Sequence, residues 1–149
     1  MAGEATWDMQ PIVVGVDGSD PSLKALEWAV RQAELTGAEV QAVTAWQWPA
    51  SYGEPMPIAP GYDPEADAKG VLDEATARLQ QAHPSVVIRT RVLEGSPAQV
   101  LVEASRGAGL LVVGNRGHGA FAGLLLGSVS EHCTTHAHSP VLVVRDREA

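Results

Sequence analysis

Cysteine, aromatic side chains and positive charge are all scarce in this chain of 149 residues, and each scarcity excludes a class of protein. The single cysteine, Cys133, excludes an intramolecular disulfide framework and a zinc ribbon, and is typical of a reducing cytoplasm. Lys and Arg number 10 against 18 Asp and Glu, and the formal net charge of −8 argues against nonspecific binding to nucleic acid or to an anionic membrane. We therefore expect a cytoplasmic protein without nucleic acid or membrane partners, in which local groups hold any anionic ligand.

The length and the hydrophobic content of the chain predict one compact domain. Hydrophobic residues make up 45% of the chain, which is enough for a core without metal or disulfides. The first ten residues carry Glu4 and Asp8 and lack the apolar segment of a secretory leader. We expect a domain over residues 11–145, with short tails at 1–10 and 146–149.

Apolar segments alternate along the chain with segments of helical periodicity, and this alternation predicts a doubly wound α/β sheet. Continuous runs rich in Val and Ile indicate buried parallel strands, and helical spacing of apolar residues separates them. Serine followed three residues later by Gln or Glu predicts capping boxes at Ser96 and at Ser128, the second opening a helix to about His138. The strands are expected over Ile12–Val16, Val40–Trp46, Val86–Leu93, Leu110–Val113 and Val141–Val144.

The segment after the fourth predicted strand, Gly114–Ser128, is rich in glycine and leads into a predicted helix. Glycine lets backbone N–H groups approach a ligand closely, and a helix N-terminus attracts anions. Arg116 and His118 would add local positive charge, and Ser128 would cap the helix or donate to a phosphate oxygen. Composition alone leaves two interpretations open, a phosphate-binding loop and a tight turn.

The spacing of the glycines separates this loop from two common phosphate-binding motifs. It lacks the Gly-Lys-Ser or Gly-Lys-Thr of a Walker loop, and no G-x-G-x-x-G opens the helix. The pattern is Gly114, two residues, Gly117, nine residues, Gly127 and then Ser128, or G-x2-G-x9-G-[ST].

That spacing resembles the nucleotide-binding signature of the universal stress protein family, in its ATP-binding branch. Ile12–Ser19 is similar to the family's first strand and turn, Leu111–Gly114 to its fourth strand, and Gly127–Ser130 with Pro140–Val144 to its close. The resemblance implies a single five-stranded parallel sheet in the order 3-2-1-4-5 with helices on both faces. It also implies a homodimer, with ATP across the carboxyl ends of strands one, two and four.

The resemblance assigns site residues position by position. Asp17 matches an aspartate near the ribose and a phosphate-bound cation, which makes it the candidate ligand of Mg²⁺. Ala45 matches a backbone contact to adenine, and Gly15 and Val113 would wall the same pocket. At Gly117 we expect a close backbone approach to the phosphates and a positive φ. The phosphate loop and helix start correspond to Gly114, Asn115, Arg116, Gly117, His118, Gly119, Ala120, Gly127, Ser128 and Val129.

Three other features each have a functional and a structural interpretation. The proline-rich segment Pro49–Pro64 is either a solvated connection or a flap over the ligand. Trp46 and Trp48 either stack on adenine or anchor the end of the second strand. The third feature is a cluster on the last helix, which has metal-ligand spacing but lacks the nearby glutamate of a metalloprotease. Cys133, within this cluster, is expected to be a small buried residue. That cluster consists of His132, Cys133, His136 and His138.

These patterns favour a cytoplasmic stress-response or regulatory protein that acts as an ATP-dependent dimeric switch. The dimer is expected to form through the last strand, Val141–Val144, and an unknown regulatory protein would read the bound state. The alternatives are a slow ATP hydrolase, a phosphate- or adenylate-transfer enzyme, and a module that binds AMP or a cyclic nucleotide. Catalysis is disfavoured because no Walker lysine and no evident general base are present.

Overall fold

The fold is that of a computed structural model, which describes residues 10–48, 50–51, 54–55, 60–117 and 126–145. Strands and helices alternate over most of the chain, except for a two-strand hairpin after the second strand. The strands are β1 (Ile12–Gly15), β2 (Val40–Trp46), β3 (Ala50–Ser51), β4 (Glu54–Pro55), β5 (Ile88–Glu94), β6 (Leu110–Gly114) and β7 (Val141–Val144). The helices are α1 (Asp20–Thr36), α2 (Pro64–Ala82), α3 (Pro97–Ala104) and α4 (Ser128–His136).

Five strands form one parallel sheet in the order β5-β2-β1-β6-β7. Counted along the chain, the strands of this sheet therefore stand in the predicted order 3-2-1-4-5, which confirms the predicted fold. Ile12 of β1 pairs with Val40 of β2 on one side and with Leu110 of β6 on the other. Because the chain order reverses beside β1, a crevice opens at the carboxyl ends of these central strands.

Each face of the sheet is covered by two helices, as predicted. One core cluster joins β1 residues such as Val14 to Leu26 of α1 and Leu72 of α2. The other joins Val13 of β1 to Leu101 of α3 and Cys133 of α4. Alternate side chains of β1 thus enter opposite cores, which explains its continuous apolar sequence. No helix in the described ranges is both long enough and apolar enough to cross a membrane.

Four predicted strand ends differ from the structure by one or two residues, namely the end of β1, both ends of β5 and the end of β6, which extends to Gly114. β1 ends at Gly15, and Val16 leaves the strand although its N–H still donates to the Val43 carbonyl at 2.9 Å. β5 runs over Ile88–Glu94, two residues later at its start than predicted. Val86 is buried, but its N–H donates to the His83 carbonyl in the turn after α2. An apolar residue in that turn therefore resembled the start of a strand.

The capping predictions were correct in position for α3 and wrong for α4. Ser96 stands at the N-cap of α3, but its side chain makes no capping hydrogen bond. The N-cap of α4 is Gly127, so Ser128 is the first helical residue rather than the cap. The helix ends at His136 and not near His138, whose backbone N–H donates to Ser105 Oγ at 2.8 Å.

The predicted irregular segment Pro49–Pro64 contains the β3–β4 hairpin, and its last residue begins α2. The side chain of Asp63 caps that helix by accepting from the Ala66 N–H at 3.1 Å. Residues 49, 52–53 and 56–59 lie outside the described ranges. The proposed flap therefore stays a prediction.

Candidate functional site

A cavity of about 640 Å³, here called the central cavity, lies at the carboxyl ends of β1, β2 and β6. Parts of α2, α3 and α4 complete its walls. The residues of the predicted site that line it are Gly15, Asp17, Ala45, Val113, Gly114, Arg116, Gly117, Gly127, Ser128 and Val129. Positions far apart in the sequence thus meet in one crevice.

Asn115 does not line the central cavity but supports the loop from behind. It is buried, with 6% of its surface exposed. Its N–H donates to the Val144 carbonyl at 2.8 Å, and its carbonyl accepts from the Gly127 N–H at 2.6 Å. Asn115 therefore joins the two described ends of the glycine loop to each other and to β7. The other predicted residues, His118, Gly119 and Ala120, lie outside the described ranges.

Asp17 is oriented by the turn between β1 and α1. Its Oδ1 accepts from the Ser19 N–H at 2.9 Å and from the Ser19 hydroxyl. Its own N–H donates to Ser22 Oγ at 3.2 Å. The left-handed conformation of the turn at Gly18, with φ of 84°, suits glycine because it lacks a Cβ. This turn holds one carboxylate oxygen, and the other lies on the side of the glycine loop.

Gly117 approaches that second oxygen very closely. A Cβ placed at Gly117 would lie 2.7 Å from Asp17 Oδ2. The φ of Gly117 lies outside the left-handed range, so the expected positive φ was wrong. A Cβ at Gly117 would therefore press on the end of the Asp17 side chain, which would have to shift.

Two further glycines allow secondary-structure elements to meet below the central cavity. A Cβ at Gly114 would lie 2.7 Å from the Pro21 carbonyl carbon in the first turn of α1. A Cβ at Gly15 would lie 2.7 Å from a Leu101 methyl group of α3. The Ser130 hydroxyl donates to the Gly114 carbonyl and fixes α4 to the end of β6. Both glycines therefore let helices pack directly against the strand ends that line the central cavity.

The N-terminus of α4 opens into the central cavity through Ser128 and Val129. Its N-cap residue, Gly127, has no side chain that accepts hydrogen bonds from the first N–H groups of the helix. Such N–H groups and the helix dipole attract an anion. The corrected capping assignment thus strengthens the case for an anion site.

The sequence interpretation missed ten residues that line the central cavity, which come from β2, from all four helices and from Val16 just after β1. Among them, Thr44 ties β2 to β1, because its buried hydroxyl donates to the Val16 carbonyl at 2.8 Å. The helical periodicity of α2 indicated that one face of this helix is buried. It did not indicate that the first turns of the helix line the central cavity. The missed lining residues are Val16, Ser22, Val43, Thr44, Asp67, Ala68, Val71, Pro97, Leu101 and Ser130.

The two tryptophans at the end of β2 pack on each other outside the central cavity. Their rings meet edge to face with centroids 5.7 Å apart, and Trp48 meets Tyr62 at 6.5 Å. Neither tryptophan is among the residues that line the central cavity. These contacts favour an anchoring role for Trp46 and Trp48 over stacking on a base.

In the described part of the chain, the histidine cluster brings together at most two potential metal ligands. The rings of His132 and His136 have centroids 4.4 Å apart. No group of three or more His, Cys, Asp or Glu side chains among the described residues is arranged to hold a metal ion. Cys133 is fully buried, as predicted, and burial raises the pKa of its thiol to about 11. A protonated, buried thiol is a poor nucleophile and a poor metal ligand.

Comparisons with known proteins place this geometry in a family. A family model described as the universal stress protein family matches residues 9–145. A universal stress protein of Mycolicibacterium smegmatis is 36% identical over 138 residues, which are 92% of this chain and 46% of the relative. The chain spans about half the length of the curated relatives it matches.

Solved structures show the same fold. A universal stress protein in complex with cAMP is similar with a TM-score of 0.70 and 35% identity, covering 93% of this chain and 98% of that chain. The universal stress protein from Archaeoglobus fulgidus in complex with dAMP has a TM-score of 0.66 and 23% identity, covering 91% and 97%. The family match, the sheet order and the glycine spacing agree, and the chain belongs to the universal stress protein family.

Proposed function

We propose that the protein binds an adenine nucleotide in the central cavity, with ATP as its ligand. One observation carries the proposal: the glycine loop, the open N-terminus of α4 and the carboxylate of Asp17 all meet at the same crevice. The complexes of a similar protein with cAMP and of a more distant one with dAMP support it. The volume of about 640 Å³ is in the usual range for a small-molecule site.

In this proposal the glycine side of the central cavity receives the phosphates. Backbone N–H groups at Gly117 and in the first turn of α4 donate to phosphate oxygens, and Arg116 adds positive charge. The family resemblance implies that this loop continues through His118, Gly119 and Ala120. Because hydrogen bonds to charged groups are worth about 1.5–3 kcal/mol each, a few of them suffice for binding.

Asp17 fits a role as ligand of a Mg²⁺ ion that accompanies the phosphates. Its Oδ1 is held by Ser19, while its Oδ2 lies on the side of Gly117. Mg²⁺ in nucleotide sites is bound by one or two carboxylates together with phosphate oxygens and water. The ion would neutralise phosphate charge beside a carboxylate that otherwise repels it.

We propose further that the protein acts in the cytoplasm as a homodimeric regulatory switch, in which ATP occupancy changes the dimer and a regulatory protein reads the result. The apolar strand β7 lies at the edge of the sheet, and its four side chains are half-buried. Edge strands of this kind need to be paired or covered. Replacing Val143 with Lys should therefore give monomers in light scattering. A wild-type protein that is monomeric at high micromolar concentration would exclude this dimer.

A second candidate ligand is a cyclic nucleotide or AMP. The observation that favours it is the complex with cAMP of a protein 35% identical to this chain. A slow ATP hydrolase is the catalytic alternative, for which Asp17 and its Mg²⁺ would be required.

Mass spectrometry of nucleotide released from the purified protein by acid tests the proposal without choosing a ligand in advance. Titration calorimetry with ATP and Mg²⁺, AMP and cAMP then ranks the candidates. ATP as the tightest ligand supports the first candidate, and cAMP or AMP as the tightest supports the second. Failure of all three adenine nucleotides to bind contradicts the proposed function.

A further inference from the structure

The first two turns of α2 form a wall of the central cavity that the glycine motif does not include. Asp67, Ala68 and Val71 all line it. Positions i and i+4 lie above one another on a helix, so Asp67 and Val71 share one face. This face shares the crevice with Ala45 at the carboxyl end of β2.

The α2 wall and the glycine loop lie at opposite ends of the central cavity. β2 and β6 flank β1 on its two sides, so their ends are separated by about 10 Å, or two strand spacings. The α2 end carries the small apolar side chains of Ala45, Ala68 and Val71, and Val71 is 38% exposed. Apolar surface of this kind suits a base, and the glycine end suits phosphates.

Asp67 introduces one polar group at this apolar end. Its carboxylate is exposed and has no hydrogen bond or ion pair within the described residues. An ionised carboxylate only accepts hydrogen bonds, and it repels phosphate groups. The 6-amino group of adenine is a donor, so it is the complementary group for an acceptor beside the base.

We propose that Asp67 determines specificity for adenine by accepting a hydrogen bond from the 6-amino group, while Val71 packs against the base. The inference rests on the proposed function. It assigns the recognition of the base to a helix outside the glycine loop.

The test compares ATP with purine riboside 5′-triphosphate, which lacks only the 6-amino group. Titration calorimetry measures both ligands on wild type, on Asp67→Ala and on Glu65→Ala. Glu65 is a matched control, since both acids lie in the first turn of α2 and only Asp67 lines the central cavity. Either substitution removes one negative charge from the same helix end, so a general effect on the helix appears in both.

The wild type is expected to bind ATP about tenfold more tightly than the analogue, the low end of the value of a hydrogen bond to a charged group. Asp67→Ala should lower that preference to less than threefold, and Glu65→Ala should keep it. An unchanged preference in a folded Asp67→Ala protein that binds ATP overturns the role of Asp67 and leaves the proposed function standing. A wild type that binds neither ligand contradicts the proposed function itself.

Discussion

Two cavities of nearly equal volume lie on either side of α3, and they differ in what they present to a ligand. The central cavity, of about 640 Å³, is lined by strand ends, glycine backbone and the start of α4. The second, here called the edge groove, has about 680 Å³ and lies between β5 and α3. Pro97 and Leu101 of α3 face the first, whereas Gln99 and Glu103 face the second.

Within the described ranges the edge groove contains no residue of the glycine loop or of α4, and four charged side chains line it. Its charged residues include Arg91 and Glu94 of β5, and its Arg106 pairs with Glu103 at 3.1 Å. N–H groups within a sheet or a helix are already hydrogen-bonded, whereas those at a helix N-terminus are not. The two cavities therefore differ in their access to the uncapped N-terminus of α4 and to the glycine loop, and not in their volume.

The largest effect is expected from a substitution that fills the central cavity at the glycine loop. Gly117→Val places a branched side chain against Asp17 Oδ2, where a Cβ alone would lie 2.7 Å away. We expect ATP affinity to fall at least about a hundredfold, which corresponds to the loss of two charged hydrogen bonds. Titration calorimetry measures the affinity, and circular dichroism confirms that the variant folds.

The control for this variant is Gln99→Val, which places a valine side chain in the edge groove instead. It should bind ATP with wild-type affinity. Equal losses in both variants would contradict the distinction between the two cavities, as would near-wild-type binding by a folded Gly117→Val protein.

A smaller effect is expected from Asp17→Asn, which keeps the shape of the side chain but removes its charge. The amide oxygen can still accept from Ser19, so the turn should persist. We expect ATP affinity in the presence of Mg²⁺ to fall about tenfold, and less without the ion, because an amide is a weaker Mg²⁺ ligand than a carboxylate. Titrations with and without EDTA measure the difference, and an equal change under both conditions would exclude a role in binding the ion.

The smallest effect is expected from Arg106→Ala in the edge groove. Arg106 and Glu103 are exposed and lie three residues apart, and exposed ion pairs contribute about 0–1 kcal/mol. Urea unfolding should show a change in the free energy of unfolding below about 1 kcal/mol, and ATP affinity should stay unchanged. A tenfold loss of affinity would place the nucleotide in the edge groove instead.

Much of the fold could be predicted from the sequence because β1, β6 and β7 are continuous apolar runs. β2 and β7 have the predicted boundaries, and the sheet has the order that the family resemblance implied. The errors lie at element ends, where tertiary contacts decide. Ser128 resembled a cap, but the N-cap is Gly127, whose N–H donates to the Asn115 carbonyl and whose own carbonyl accepts from the Glu131 N–H.

The site was predictable where it follows a local motif, and not where it depends on packing. Gly114, Gly117 and Gly127 could be identified from their spacing, and Asp17 from its place in the turn after the first strand. The contribution of Asp67 depends on how α2 lies across β2, which the helical periodicity alone does not specify. Asn115 sits inside the motif, yet its position beneath the loop results from its backbone bonds to β7 and to Gly127.

Nuclear magnetic resonance is the most direct test, because it reports both cavities at once in a chain of 15.6 kDa. The account predicts that ATP with Mg²⁺ shifts the backbone amide signals of Gly114, Gly117 and Gly127 in a saturable manner. The signals of Gln99 and Glu103 in the edge groove should move little. Shifts concentrated in the edge groove, or no saturable shift at the glycines, would contradict the claim that the central cavity is the nucleotide site.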